Sequence, residues 1–212
     1  MVEKRTNKVI LIAGTRDTGK TDFVKSLIQY EKRHFDKTIV TDVEKNDAWE
    51  NMGTWNNPGG FEEKIQAIEP HQVKYLKKGV KHLYCSDADV LMQTINDDVK
   101  NTLVVMEDGS KYFDEGRMTR TQKKIVLDTK QKNIDLVILF HGISFIPKKL
   151  IKVCNYIYLK KSGDTPNEIS DRLPMIRDAH EIAMKIENSQ NKSNKRSYYG
   201  TSNVSHILAL LN

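Results

Sequence analysis

Eight residues constrain this chain more than any others. Gly14-Thr15-Arg16-Asp17-Thr18-Gly19-Lys20-Thr21 fits G-x-x-x-x-G-K-[ST], the pattern of a loop that cradles phosphate. The loop follows an apolar run, Val9-Ile10-Leu11-Ile12-Ala13, and precedes a stretch with helical spacing, which is the strand-loop-helix context the motif requires. Two glycines let the backbone fold back so that several N–H groups point at one anion. Lys20 then reaches the β- and γ-phosphates, and Thr21 offers its hydroxyl to Mg²⁺ at a helix N-terminus whose dipole favours anions. All eight residues are candidate nucleotide-binding residues, and Thr21 is also a candidate metal ligand.

The rest of the chain reads as strands alternating with helices. Residues 8 to 13 predict a buried strand, and residues 20 to 33 a helix with Phe23, Val24, Leu27 and Ile28 on one face. Thr38 to Asp42 predicts a second strand, and 43 to 60, rich in Asn, Pro and Gly with Trp49 and Trp55, a loop with a short helical turn in it. Residues 61 to 69 predict a short helix stopped by Pro70, and His82 to Cys85 a short strand. A helix follows from Asp87 to about Asp98, with Asp87 or Asp89 as its cap. Thr102 to Met106 predicts the next apolar strand, 118 to 131 a basic helix, Asp135 to Phe140 a strand, Pro147 to about Val153 a short helix, and Tyr156 to Leu159 a last strand. The alternation predicts an α/β fold of three layers, with a mainly parallel sheet flanked by helices.

At 212 residues the chain has room for one such domain and a short appendage. Residues 1–187 are expected to form it. Residues 188–212 open with a polar, basic run, Asn188 to Ser197, and end on an apolar segment, Val204 to Leu211. No apolar run approaches the roughly 18 residues of a membrane span, and no secretory leader is evident, so a cytoplasmic protein is expected. Cys85 and Cys154 fall at expected strand positions and fit no zinc spacing. They read as reduced thiols. The net charge of +6, from 34 basic and 28 acidic residues, permits an acidic partner such as nucleic acid but argues for it weakly.

A phosphate loop does not by itself separate a kinase from a GTPase or a motor; the second acidic site does. In hydrolases of this type a carboxylate at the end of a buried strand holds the Mg²⁺, and a neighbouring one polarises the attacking water. Leu103 to Met106 supplies the strand, and Glu107 and Asp108 supply two carboxylates. The strand 135 to 140 ends in His141, at the sheet edge where ligands of open α/β folds bind, so His141 is a candidate sensor of the γ-phosphate. Arg117 and Arg120 lie beyond the acidic pair, and either could complete the site of an adjacent subunit. Arg172 and Arg177 are reserves. Lys123, Lys124, Lys130 and Lys132, then Lys148, Lys149 and Lys152, then Lys192, Lys195 and Arg196 form three basic clusters, the last beside Tyr198-Tyr199. Such clusters suit a phosphate backbone.

The order of these parts, Gly14 to Thr21, Leu103 to Asp108, Leu136 to His141, Ile146-Pro147 and Cys154 to Lys160, resembles the FtsK/HerA superfamily of DNA-pumping ATPases. The likeness is greatest to its small viral branch, the genome-packaging ATPases, and spans about residues 8 to 161. It implies a bare ASCE-type, RecA-like ATPase core in which the sensor strand lies between the phosphate-loop strand and the acidic strand. It implies ATP and Mg²⁺ as cofactors, Glu107 in the metal-side position, Asp108 in the water-activating one and His141 as sensor. The family usually writes the acids as Asp-Glu and the sensor as Gln, which leaves the division of labour between Glu107 and Asp108 open.

The function implied is ATP-driven movement of double-stranded viral DNA into a preformed capsid. The motor would be a homo-oligomeric ring of five or six copies in the host cytoplasm, docked on a capsid vertex or portal protein. Two alternatives stand beside it. A nucleoside or nucleotide kinase would need an arginine-bearing lid, and the arginines after residue 160 are scattered. A filamentous-phage-type assembly ATPase shares a similar core but generally carries a membrane span. The N-K-x-D guanine signature of a GTPase is absent; Glu44-Lys45-Asn46-Asp47 does not match it.

Overall fold

The strand that enters the phosphate loop, β1 (Val9–Ala13), is buried at all five positions, as are β5 (Thr102–Met106) and β6 (Ile134–Phe140) along their whole lengths. A strand buried on both faces belongs in the middle of a parallel sheet covered on each side. In the computed structural model, which describes residues 7–31, 34–53, 64–114, 116, 118–160 and 162–174, that is where these strands lie. With β2 (Lys37–Asp42), β3 (Gln66–Ile68), β4 (Gly79–Tyr84) and β7 (Tyr156–Leu159) they form one seven-stranded sheet in the order β3-β4-β2-β5-β6-β1-β7. All six pairings are parallel.

The side chains of these strands alternate between two apolar layers. Val9, Leu11, Val104, Met106, Leu136 and Ile138 face one layer, which α2 (Ala88–Asp98), α3 (Arg120–Leu127), α5 (Lys148–Ile151) and α6 (Pro166–Arg172) cover with Leu91, Ile95, Ile125, Leu150 and Ile169. Ile10, Ile12, Leu103, Val105, Val137 and Leu139 face the other, covered by Val24 and Ile28 of α1 (Lys20–Glu31) and by Trp49. The expected three-layer α/β fold is therefore the observed one. β6 is inserted between β1 and β5, the arrangement the resemblance implied.

Several elements differ from the sequence reading. Residues 66 to 68, assigned to a helix, form β3, because Gln66 and Ala67 lie exposed at the sheet edge while Ile68 packs into the core. Pro70 opens a 3-10 turn to Tyr75 rather than only ending an element. β4 begins three residues earlier than expected, at Gly79, whose left-handed φ of 88° suits a residue without Cβ. The basic helix splits at Asp128 into α3, capped by Thr119 with Gln122, and α4 (Thr129–Lys132). Asp87 caps α2, accepting from Asp89 and Val90 N–H at 2.9 and 3.2 Å.

The helix expected from Gly163 onward is seen as α6; its continuation past residue 174, the basic tail and the apolar C-terminal segment lie outside the described residues. Cys85 and Cys154 are free and fall just outside the strands, after β4 and before β7. No helix among the described residues is long and apolar enough to cross a membrane.

Candidate functional site

The loop from Gly14 to Gly19 leaves the carboxyl end of β1 and is tied to its neighbour strand by Gly14 N–H donating to Phe140 O at 3.1 Å. Two residues with left-handed backbone, Asp17 at φ 60° and Gly19 at φ 77°, bend it back on itself. Glycine and, less freely, aspartate tolerate that conformation. Buried Thr18 braces the bend, its hydroxyl donating to Thr15 O at 2.9 Å. Lys20 opens α1, and its Nζ donates to Gly14 O at 2.7 Å and Thr15 O at 2.8 Å. Burial pulls the Lys20 ammonium below its ordinary pKa, and Glu107, Asp108 and Asp17 oppose that pull.

Glu107 extends β5 by one residue, its N–H donating to Thr41 O at 3.0 Å. Its Oε2 accepts from the indole Nε1 of Trp49 at 3.0 Å. Burial raises the Glu107 carboxyl above its usual range, Asp42 and Asp108 add to this, and Trp49 and Lys20 work against it. The chain then turns sharply: Asp108 takes a left-handed φ of 54°. Gly109 follows because nothing larger fits, since a Cβ there would lie 2.6 Å from Ile138 Cγ2 and from Phe140 Cζ on β6.

Asp108 is surrounded by donors. Ser110 Oγ donates to Oδ1 at 2.5 Å, and His141 Nε2 and Lys111 Nζ lie 3.7 and 3.6 Å from Oδ2. Burial alone would raise its pKa; His141, Ser110 and Lys111 outweigh that and hold it far below the usual carboxylate range. The two adjacent acids thus sit in opposite electrostatic settings, which their order in the sequence does not reveal.

The segment after His141 is held from behind. Asp164 accepts from Ile143 N–H at 2.7 Å, Ser144 N–H at 3.0 Å and Ser144 Oγ–H at 2.6 Å. Gly142 is needed beneath this clamp, since a Cβ would meet Asp164 Oδ1 at 2.8 Å. Arg172 Nη2 adds a bond to Ser144 O at 3.2 Å. A Cβ added at the neighbouring Gly163 would lie 3.9 Å from Thr15 Cγ2 in the phosphate loop.

A cleft of about 520 Å³ runs between these parts and is lined on one side by Arg16 to Asp22 and on the other by Glu107, Asp108, Lys111 and His141. Lys20, Thr21, Glu107, Asp108 and His141 are therefore brought together from residues scattered over more than half the chain. Gly14 and Thr15 form the base of the loop behind that wall. Arg120 is exposed in the first turn of α3 and does not line the cleft of its own chain, and Arg117 lies outside the described residues. Arg172 is committed to Ser144 and Asp171, and Arg177 also lies outside the described residues.

Four contributors went unrecognised in the sequence. Trp49 was placed in a loop; it is fully buried. Asp42 was read as a strand end. It accepts from Glu44 and Asn46 N–H at 2.9 and 2.5 Å and faces His82 Nε2 at 3.4 Å; burial raises its pKa, and these partners lower it further than burial lifts it. Lys25, on α1, donates to Gly53 O at 2.8 Å and lies 5.8 Å from the Trp49 ring. Lys111 was one lysine among many. Only the Trp in an otherwise polar loop offered a signal, since a buried indole needs an acceptor for its N–H.

An all-parallel sheet with a G-x-x-x-x-G-K-T loop at the end of β1, and the strand that ends at His141 inserted between β1 and the strand that ends at Glu107, defines the fold of a P-loop NTPase. No protein-family model matches the sequence, and no curated protein matches it. Solved structures do match. The genome packaging NTPase B204 of Sulfolobus turreted icosahedral virus 2, in complex with sulfate, superposes with a TM-score of 0.64 at 12% identity, over 82% of this chain and 86% of that one. The same protein with AMPPCP gives 0.61 at 14% identity, over 83% and 86%. B204 of Sulfolobus turreted icosahedral virus, described as a DNA-packaging ATPase, gives 0.57 at 13% identity, over 82% and 85%. The resemblance to viral genome-packaging ATPases thus extends to the fold across four fifths of the chain.

Proposed function

We propose that this chain is an ATP-hydrolysing DNA translocase that packages double-stranded viral DNA. The observation that carries the reading is the insertion of β6 between β1 and β5, which sets His141 within 3.7 Å of Asp108 across the cleft from the phosphate loop. A nucleotide kinase has no need of two carboxylates and a histidine at that place. A water-splitting site does. The likeness of fold to the B204 packaging proteins supports the same choice.

In this reading the N–H groups of Gly14 to Thr21 hold the phosphates, and Lys20 stabilises charge on their bridging oxygens. Asp108, kept ionised by its donors, orients the attacking water, and His141 couples Asp108 to the terminal phosphate. Thr21 and Glu107 are the residues that would hold Mg²⁺, which neutralises phosphate charge when bound. Their oxygens suit that hard cation. Mg²⁺ commonly takes one or two protein ligands alongside substrate phosphates and water, so these two residues would suffice on the protein's side.

The working form is a ring of five or six copies, with Arg117 or Arg120 reaching a neighbour's site and exposed lysines gripping the DNA backbone without reading bases. Lys123, Lys124 and Lys130 are exposed on α3 and α4. Lys132 is less available, because it donates to Asn96 O and Oδ1. Residues 1–187 form the ATPase domain and 188–212 its basic tail, and a capsid vertex or portal protein is the docking partner.

The deciding experiment is an ATPase assay with and without duplex DNA, with Lys20→Ala as control. Turnover that rises with DNA and disappears in the variant supports the motor. Transfer of phosphate to a nucleoside, with no response to DNA, would establish the kinase instead.

A further inference from the structure

Arg120 does not line the cleft of its own chain, whereas Lys111 does, beside Asp108. We infer that Lys111 is the site's own charge-stabilising cation, meeting the terminal phosphate from the side opposite Lys20.

Lys111 is placed by a short, firmly anchored piece of chain. Gly109 is pressed against Ile138 and Phe140, Lys111 N–H donates to Asp108 O at 3.0 Å, and Tyr112 and Phe113 N–H both return to Gly109 O at 3.1 and 2.9 Å. Tyr112 and Phe113 are themselves core residues. From this turn the Lys111 side chain lines the cleft beside Asp108.

Its present partners are easily exchanged. Nζ lies 2.6 Å from Glu44 Oε1, but the Glu44 side chain is 73% exposed, and ion pairs in such settings hold weakly. The separation of 3.6 Å from Asp108 Oδ2 is beyond a good hydrogen bond. An ammonium on a flexible four-carbon stem can therefore leave Glu44 for a phosphate oxygen while staying beside Asp108. There it would oppose the charge that gathers on the phosphoryl oxygens as the bond to the leaving phosphate breaks and water adds. Asp108 and Lys111 then act as a pair, one directed at the water and the other at the phosphorus.

This role presupposes that the cleft hydrolyses ATP, which Lys20→Ala tests separately. The experiment is single-turnover ATP hydrolysis by the full chain across a range of protein concentrations, for Lys111→Ala, Lys111→Arg and Glu44→Gln, with nucleotide affinity measured in parallel. Lys111→Ala is expected to slow the chemical step by about 10²-fold with ATP affinity changed less than about threefold. Lys111→Arg should restore most of the rate, and Glu44→Gln should leave it intact or raise it.

A double variant separates direct action from mere support of Asp108. If Lys111 acts on phosphate, Asp108→Asn with Lys111→Ala is slower than Asp108→Asn alone. Equal rates for those two, or wild-type turnover by Lys111→Ala while Lys20→Ala is inactive, overturns the inference and leaves the hydrolytic reading standing. An inactive wild type would instead refute the hydrolytic reading itself.

Discussion

The indole N–H of Trp49 donates to Glu107 Oε2 at 3.0 Å, fastening a carboxylate at the end of β5 to the 3-10 turn that follows β2. Phenylalanine in place of Trp49 would keep most of the packing and lose this bond. Trp49→Phe is expected to cost about 1–3 kcal/mol of stability, and Trp49→Ala, which also leaves a cavity, about 3–5 kcal/mol. Urea unfolding of both variants measures this. Turnover by Trp49→Phe should fall while the protein stays folded, because the freed carboxylate can rotate.

Gly109→Ala puts a methyl into space already held by Ile138 and Phe140. Overpacking of this kind typically costs about 1–3 kcal/mol. The variant should unfold at lower denaturant and hydrolyse ATP more slowly than its remaining folded fraction accounts for, since relief of the clash moves Asp108 or β6. Activity at or above the wild-type level would show that the turn yields elsewhere.

Asp164 gives a test at acid pH. Burial raises its pKa, yet Ser144 and the N–H groups of Ile143 and Ser144 more than reverse that and hold it below its ordinary value. A carboxyl depressed in the folded state adds stability above its unfolded pKa, about 3.9, and that contribution is lost as pH falls towards the folded value. Asp164→Asn should therefore be less stable than wild type at pH 7 by about 1–3 kcal/mol. The gap should narrow below about pH 4, and thermal melts at pH 7, 5 and 3 would show it.

Lys160 has the opposite sign. It is buried, with Nζ 5.1 Å from the Phe23 ring, and burial brings its pKa down to about 8 while Asp22 resists. The unfolded chain keeps that proton up to about pH 10, so between these values it binds more protons than the folded chain and stability rises with pH. Lys160→Met should raise the melting temperature at pH 7, by roughly 1–3 kcal/mol in stability, and the advantage should shrink towards pH 10. A variant no more stable than wild type at pH 7 would mean that Lys160 is fully compensated where it sits.

The fold was legible because its central strands are nearly continuous apolar runs, Val9 to Ala13 and Leu136 to Phe140. The phosphate loop, the acidic pair and His141 carry chemistry in the residue types themselves, so they could be picked out one at a time. Gln66 to Ile68 could not, because a three-residue strand has too few positions to reveal a period. Trp49, Asp42, Lys111 and Asp164 escaped for another reason. Trp49, Asp42 and Asp164 matter through partners well removed in sequence, Glu107, His82 and Ser144 respectively. Lys111 and Asp108 are close in number, but only the turn at Gly109 aims one at the other.

The insertion of β6 beside β1 also governs when the site can come into being. The N–H of Lys8, at the start of β1, donates to Asp135 at the start of β6, 127 positions later. Contacts that distant must be closed against considerable chain entropy and form late. As the polypeptide leaves the ribosome, the phosphate loop emerges more than a hundred residues before the strand that walls it and carries His141. A still-growing chain therefore displays the loop before His141 can be brought to face it.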